Sequence, residues 1–385
     1  MADGGPIGSA LAGLALTDHH VHPALGGELT RDRFEQLITE SGQAAPAGTT
    51  QFDSQLGLAV RRWCGPVLGL PPSAPPEDYL ARRAELGAAA ATSWLLRASG
   101  IGRFLVDTGY LADGMLDLTG MAAAAGAPVT EIVRLESVAE QVARDGVAAA
   151  EFGERFRAAL WQRAGQAAGV KSIVGYRFGL DIDPAPPGPA ELAAAAGGWL
   201  REVESTGQAR VTDHVLLRHL LWAGVERGLP VQIHTGFGDP DADLRRCDPL
   251  LLRGFLELTR DRAVPVMLLH CYPFHRQAGY LAQAYPHVYL DVGLAVNHVG
   301  ARAAAVVGES MELAPFGKLL FSSDAWGPAE LHYLGALLWR RATATVLRQW
   351  VEAGDWSLDD AIRVATMIGS GNARRVYQLG GGTGD

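Results

Sequence analysis

An α/β chain closed as a (β/α)8 barrel is the fold this sequence predicts. Eight short apolar runs alternate with longer stretches of helical spacing along its 385 residues. Such alternation implies parallel strands joined by right-handed crossovers. Histidines and carboxylates recur where the apolar runs end, and in a closed barrel those ends converge on one mouth. A hydrophobic content of 48% with 19% charged residues suits a chain that buries a large core. We therefore read residues 1–385 as one barrel domain.

The first run, Leu14 to Asp18, leads into Thr17-Asp18-His19-His20-Val21-His22-Pro23. Strand side chains alternate with period two, so His20 and His22 share a face. Paired neutral imidazoles suit a divalent transition metal, although a surface histidine cluster has the same spelling. Residues 41–100 break the rhythm: Ala44-Ala45-Pro46 and the proline-rich 70–76 segment surround helical runs such as Tyr79 to Leu96. This predicts a helical insertion after the first strand, placed to cap the mouth.

The remaining strands are expected at Arg103 to Asp107, Glu131 to Glu136, Val170 to Val174, Val231 to His234, Val264 to His270, Val288 to Asp291 and Leu319 to Ser322. Helices are expected at Ser137 to Ala168, Ala190 to Gly228, Pro249 to Arg262, Arg276 to Tyr285 and Leu331 to Gly354, with an Asp/Pro-rich loop over 181–189. A last helix spans Ser357 to Gln378, where Ser357 and Asp360 have the spacing of a capping box. The glycine-rich close, 380–384, should be floppy.

The formal charge of −9 and the lack of a Lys/Arg block argue against nucleic acid. Three widely spaced cysteines, with no CxxC, fit a reduced cytoplasmic compartment better than a disulfide scaffold or a thiolate zinc site. The opening residues lack the basic region of a leader, and the alanine runs are too short to cross a bilayer. The expected partner is a small-molecule substrate, without nucleic acid or membrane; a homo-oligomer stays open.

Polar residues at the strand ends carry the chemistry. The first strand offers His20 and His22, the third Glu136, the fourth Lys171, the fifth His234, the sixth His270 and the eighth Asp324. Buried charges there need partners, and a metal supplies one. Each has a plainer alternative: Asp324 could N-cap a helix, His270 and His275 could be a loop pair, and Lys171 could snorkel at the surface. Lys171 sits early in its expected strand, and Glu136 competes with it as ligand to a second metal. Asp239, Asp241 and Asp243 lack the glycine and glutamate of a calcium loop and read as a solvated turn.

These segments together resemble the amidohydrolase superfamily of metal-dependent barrels. The resemblance is nearest to the amidohydrolase-2 type, found alone in bacteria and fused to glutamine-synthetase-like domains in fungi and plants. It rests on Leu105 to Tyr110, Val170 to Arg177, His234 to Asp239, His270 to Tyr280 and Ser323-Asp324-Ala325. It implies a metal held by His20, His22, His234 and Asp324, with His270 as ligand or proton-transfer group. One or two divalent ions are implied, zinc first, with iron or manganese as alternatives.

A divalent metal activates water and polarises a carbonyl, and Asp324 could shuttle the proton. His270 or His275 could steady an oxyanion, and Arg177 and Tyr272 could contact a substrate anion. The first reading is hydrolysis of an amide or related acyl bond. Decarboxylation on the same barrel, a diiron oxygenase and an inert binding domain are the rivals.

Overall fold

The computed structural model describes residues 5–110 and 113–380, so residues 381–384 of the glycine-rich close lie outside the described residues. Seven parallel strands form one sheet in chain order: β1 Leu16–Val21, β2 Ile101–Asp107, β3 Val129–Arg134, β4 Gly169–Ser172, β5 Val231–His234, β6 Val266–Leu269 and β7 Val288–Leu290. β1 and β4 to β6 are buried at every position, as parallel strands covered on both faces must be.

The eighth expected strand is irregular. Residues 319–325 form only an isolated parallel bridge, Leu290 to Leu319, yet they bond to both edges of the sheet. Leu320 N donates to Leu290 O of β7 at 3.0 Å, and on the other side His22 N donates to Ala325 O at 2.8 Å and Asp324 N to His20 O at 3.2 Å. Two features prevent a regular ladder. Phe321 N is drawn to Ile368 O instead, and Asp324 has a φ of 45°, outside the β region.

β1 begins and ends later than expected, so His20 lies inside the strand and His22 immediately beyond it. β3 stops at Arg134, and Glu136 falls in the first turn of the Leu135–Arg144 helix rather than on a strand tip. Lys171 is the third of the four residues of β4, late in the strand and not early. Two long helical runs each break into two. Gly146 (φ 78°) follows Leu135–Arg144, before a second helix at Phe152–Arg163. Gly207 (φ 71°) ends Pro189–Thr206, and Asp213 then caps His214–Arg227. A left-handed residue closes a helix, and glycine adopts that conformation without steric cost.

Between β1 and β2 the chain forms several helices, among them Arg31–Leu37, Pro76–Leu86 and Ala88–Ala98. The Pro76–Leu86 helix is pinned to the long Ala329–Glu352 helix: Arg83 Nε and Tyr79 Oη donate to Glu330 Oε1 at 2.9 and 2.8 Å, all three residues buried. The C-terminal stretch is a helix at Leu358–Thr366, a π turn and a short helix at Asn372–Val376. Ser357 caps it by accepting from Asp360 N at 3.0 Å. Its hydroxyl donates to Asp360 Oδ2, so the return half of a capping box is not made.

Inside the ring, Leu105, Ile132, Met267, Leu269 and Leu320 pack with Ala373, Val376 and Tyr377 of the C-terminal stretch. Among the described residues no helix is long and apolar enough to cross a membrane.

Candidate metal centre

Five of the expected ligands meet at the C-terminal ends of the strands. His20 lies in β1 and His22 immediately follows it, His234 ends β5, His270 follows β6, and Asp324 sits on the irregular closing segment. Asp324 Oδ1 lies 3.0 Å from His20 Nε2 and 3.7 Å from His22 Nε2, and Asp324 Oδ2 lies 3.2 Å from His270 Nε2. The His234 ring centre is 4.9 Å from that of His270. His270 and Asp324 both have positive φ (67° and 45°), a costly backbone that turns both side chains inward.

Hydrogen bonds behind the cluster decide which nitrogens face it. Gln232 Nε2 donates to His19 O at 2.7 Å, which turns Gln232 Oε1 toward His20 Nδ1, also at 2.7 Å. Since Oε1 only accepts, His20 carries its hydrogen on Nδ1 and Nε2 is a bare lone pair. His22 Nδ1 likewise donates to the Asp107 carbonyl at 3.3 Å, leaving its Nε2 bare, while His332 Nε2 holds the His22 carbonyl at 3.0 Å. Lone pairs of two imidazoles thus face one carboxylate oxygen, an arrangement that needs a proton or a cation among them, and Lys171 Nζ at 3.2 Å reaches only the His20 side.

Burial keeps the imidazoles neutral. His20 and His234 are held well below the ordinary histidine value by burial and then by Lys171, and His270 by burial and then His234; burial brings His22 down to about 3. Burial also pushes Asp324 up to about 7 and Lys171 down to about 8. His234 Nε2 and Asp324 Oδ1 are buried with no hydrogen-bond partner. Neutral imidazoles with free lone pairs, an orphaned carboxylate oxygen and fixed tautomers are what a divalent metal requires, so the donor set fits.

The two candidates for a second metal behave differently. Glu136 is fully buried and accepts from Ser172 Oγ (2.6 Å) and Ile173 N (2.9 Å) through one oxygen; it does not line the cavity. Lys171 does line it, with Nζ 3.2 Å from His20 Nε2. Asp107, which sequence reasoning passed over, forms a second cluster with His20 and His22, their ligand atoms within 4.8 Å of one another. Both Asp107 oxygens are already engaged, Oδ1 by Gly109 N at 2.8 Å and Oδ2 by Arg134 at 2.7 Å.

A cavity of about 380 Å³ opens over the cluster. His22, Lys171, His234, His270 and Asp324 line it, with Tyr110, Tyr176 and Trp326 as aromatic wall. Arg177 lines it as well; it is paired with Glu140 at 3.0 Å, but its Nε and Nη1 are buried without acceptors. Asp239 and Asp241, expected in a solvated turn, belong to the lining too. Tyr272 and His275 do not. They stack on each other with ring centres 5.8 Å apart, and His275 Nε2 is tied to Glu309 at 2.7 Å. His275 opens the Arg276-containing helix, which carries it away from the mouth.

Gln232 and Asp291 also went unremarked. Asp291 accepts from His19 Nε2 at 3.0 Å and from the backbone of His270 at 3.1 Å. A faint signal existed for each: Gln232 stands two residues before His234, on the same strand face, and Asp291 ends an apolar run.

The fold and this donor set define a class, the barrels that gather imidazoles and a carboxylate at their strand ends. Residues 18–379 match the family described as Amidohydrolase, and the chain belongs to that family. It is 32% identical over 222 residues to Protein fluG of Emericella nidulans, a match covering 55% of this chain and 25% of that protein. The chain thus spans about a quarter of the length of this curated relative. A crystal structure from Lactobacillus casei, described as a metal-dependent hydrolase, is 28% identical, with a TM-score of 0.86 over 97% of both chains. Uronate isomerase of Thermotoga maritima, 14% identical with a TM-score of 0.60 over 96% of both chains, shares the fold alone.

Proposed function

We propose that this protein hydrolyses an amide or related acyl bond in a small, carboxylate-bearing molecule, using one divalent metal, zinc first. His20, His22, His234, His270 and Asp324 would hold the ion. The observation that carries the reading is the gathering of acceptor atoms around Asp324, with the Nε2 atoms of His20, His22 and His270 within 3.0 to 3.7 Å of its carboxylate, a set that one shared cation satisfies together. A metal bound there lowers the pKa of water and polarises a carbonyl.

The chain's own groups supply the rest. Asp324, which faces the cavity, takes the proton from the attacking water and returns it to the departing amine. The ammonium of Lys171 and the free N–H groups of Arg177 put positive charge in the cavity wall, where a substrate carboxylate would dock. Tyr110 and Trp326, ring centres 5.8 Å apart at right angles, wall off the apolar part of the substrate. The prior engagement of both Asp107 oxygens favours one metal over two, and so favours hydrolysis over diiron oxygen chemistry. Three buried, free cysteines support a reducing cytoplasmic setting.

The test is elemental analysis of protein purified without added metal, with a screen of N-acyl and γ-glutamyl compounds. One equivalent of zinc and release of a free acid support the proposal. Two irons with oxygen consumption would replace it with an oxygenase.

A further inference from the structure

The C-terminal stretch reaches the candidate metal centre through the interior of the barrel. Tyr377 follows the Asn372–Val376 helix and is 5% exposed. It enters from the end opposite the mouth, against Gly169, the first residue of β4. A Cβ at position 169 would stand 3.3 Å from Tyr377 Cε1 and 2.8 Å from Pro230 O, so glycine there leaves room for the ring.

The Tyr377 hydroxyl meets two groups, Gln232 Nε2 at 2.8 Å and His19 Nδ1 at 3.0 Å. A hydroxyl has one hydrogen, and the amide nitrogen can only donate. The hydroxyl therefore accepts from Gln232. The direction at His19 is set from the far side: ionised Asp291 only accepts, so His19 donates through Nε2 to Asp291 Oδ2 at 3.0 Å, and the neutral ring leaves Nδ1 to take the hydroxyl's hydrogen. The other oxygen of Asp291 accepts from His270 N at 3.1 Å, Gly293 N at 2.8 Å and Ser322 Oγ at 2.8 Å. In the other direction, Gln232 Oε1 accepts from His20 Nδ1. Each hydrogen position follows from its neighbour, so one directional chain runs from Tyr377 to two ligands.

We propose that Tyr377 is a positioning residue for the metal. Through Gln232 it holds His20 in the tautomer whose Nε2 is free, and through His19 and Asp291 it braces the left-handed backbone at His270. The proposal rests on the metal reading of the cluster. It makes a residue 357 positions from His20 in the chain part of the site's supporting shell.

The experiment uses the full chain with Tyr377→Phe, which keeps the ring in the barrel and removes only the hydroxyl. Zinc affinity is measured by competition with a chromophoric chelator, and the visible spectrum is recorded with cobalt in place of zinc. The expected result is zinc affinity about 10- to 100-fold weaker, with a shifted cobalt band, the usual scale for groups that orient a ligand. Gln232→Leu should lose a similar amount, and the double variant should lose less than the sum of the two single losses, because the branch through Gln232 is shared while the branch through His19 is not. Tyr377→Phe with unchanged zinc affinity and cobalt spectrum, even if it melts at lower temperature, overturns the proposal, as do additive losses. If Gln232→Leu yields no folded protein, Tyr377→Phe decides alone. Should the unaltered protein bind neither zinc nor cobalt, the metal reading fails first and the relay falls with it.

Discussion

At the scale of single residues, the site is a question of where hydrogens sit. His20 and His22 each donate backward through Nδ1, and each presents a bare Nε2 forward. Removing either His234 or Asp324 by alanine substitution takes away a donor that has no other partner, so bound zinc should drop from one equivalent to near none. Elemental analysis after gel filtration reads this directly. Arg177→Met should leave zinc in place and raise KM for acidic substrates by about 10- to 100-fold, since a hydrogen bond to a charged group contributes about 1.5–3 kcal/mol. Steady-state kinetics on paired acidic and neutral substrates would show it, and equal losses on both would count against the anion contact.

Much of the ligand set was legible in the sequence, for a local reason. His20, His22, His234, His270 and Asp324 all end or closely follow apolar runs, and such positions converge in any barrel. The supporting residues were harder to see, because a glutamine in mid-strand or an aspartate before a glycine carries no mark of what it will face. His275 misled because a histidine five residues after a ligand reads as its neighbour, whereas the chain turns into a helix there and pairs it with Glu309.

At the scale of elements, the order of strands and helices followed from periodicity, while their ends depended on contacts remote in sequence. The helices after β1 illustrate this. Nothing in residues 76–86 announces that Arg83 and Tyr79 will share Glu330 across the molecule. Breaking that buried pair leaves an uncompensated charge, so Arg83→Met should destabilise the fold by about 3–5 kcal/mol in urea unfolding, with zinc stoichiometry intact.

The His214–Arg227 helix supplies a pH dependence. His219 packs on Phe156 and Phe152, and burial, then Arg157, lowers it to about 4 from an ordinary 6.5. Its folded pKa lies below the unfolded one, so the unfolded chain binds the extra proton. The contribution is complete above about pH 6.5 and is lost as pH falls toward 4. His219→Leu should flatten the pH dependence of the urea midpoint across that window and leave it unchanged above pH 7.

At the scale of the molecule, seven regular strands and one irregular segment make up the ring. A metal at the mouth would bind the folded chain and not the unfolded one, so zinc at a thousand times its dissociation constant should add about 4 kcal/mol to stability. Thermal unfolding with and without a chelator measures this, and no change would argue that the cluster holds no ion. The same ion would tie β1 to residues 319–325 by side chains, where the backbone ties them by only a few bonds. Asp324 would then serve as a rivet on the irregular joint that closes the ring. Amides along that joint should exchange with deuterium fastest in metal-stripped protein and slow most when zinc returns, so that the loaded centre and the shut ring become a single cooperative state.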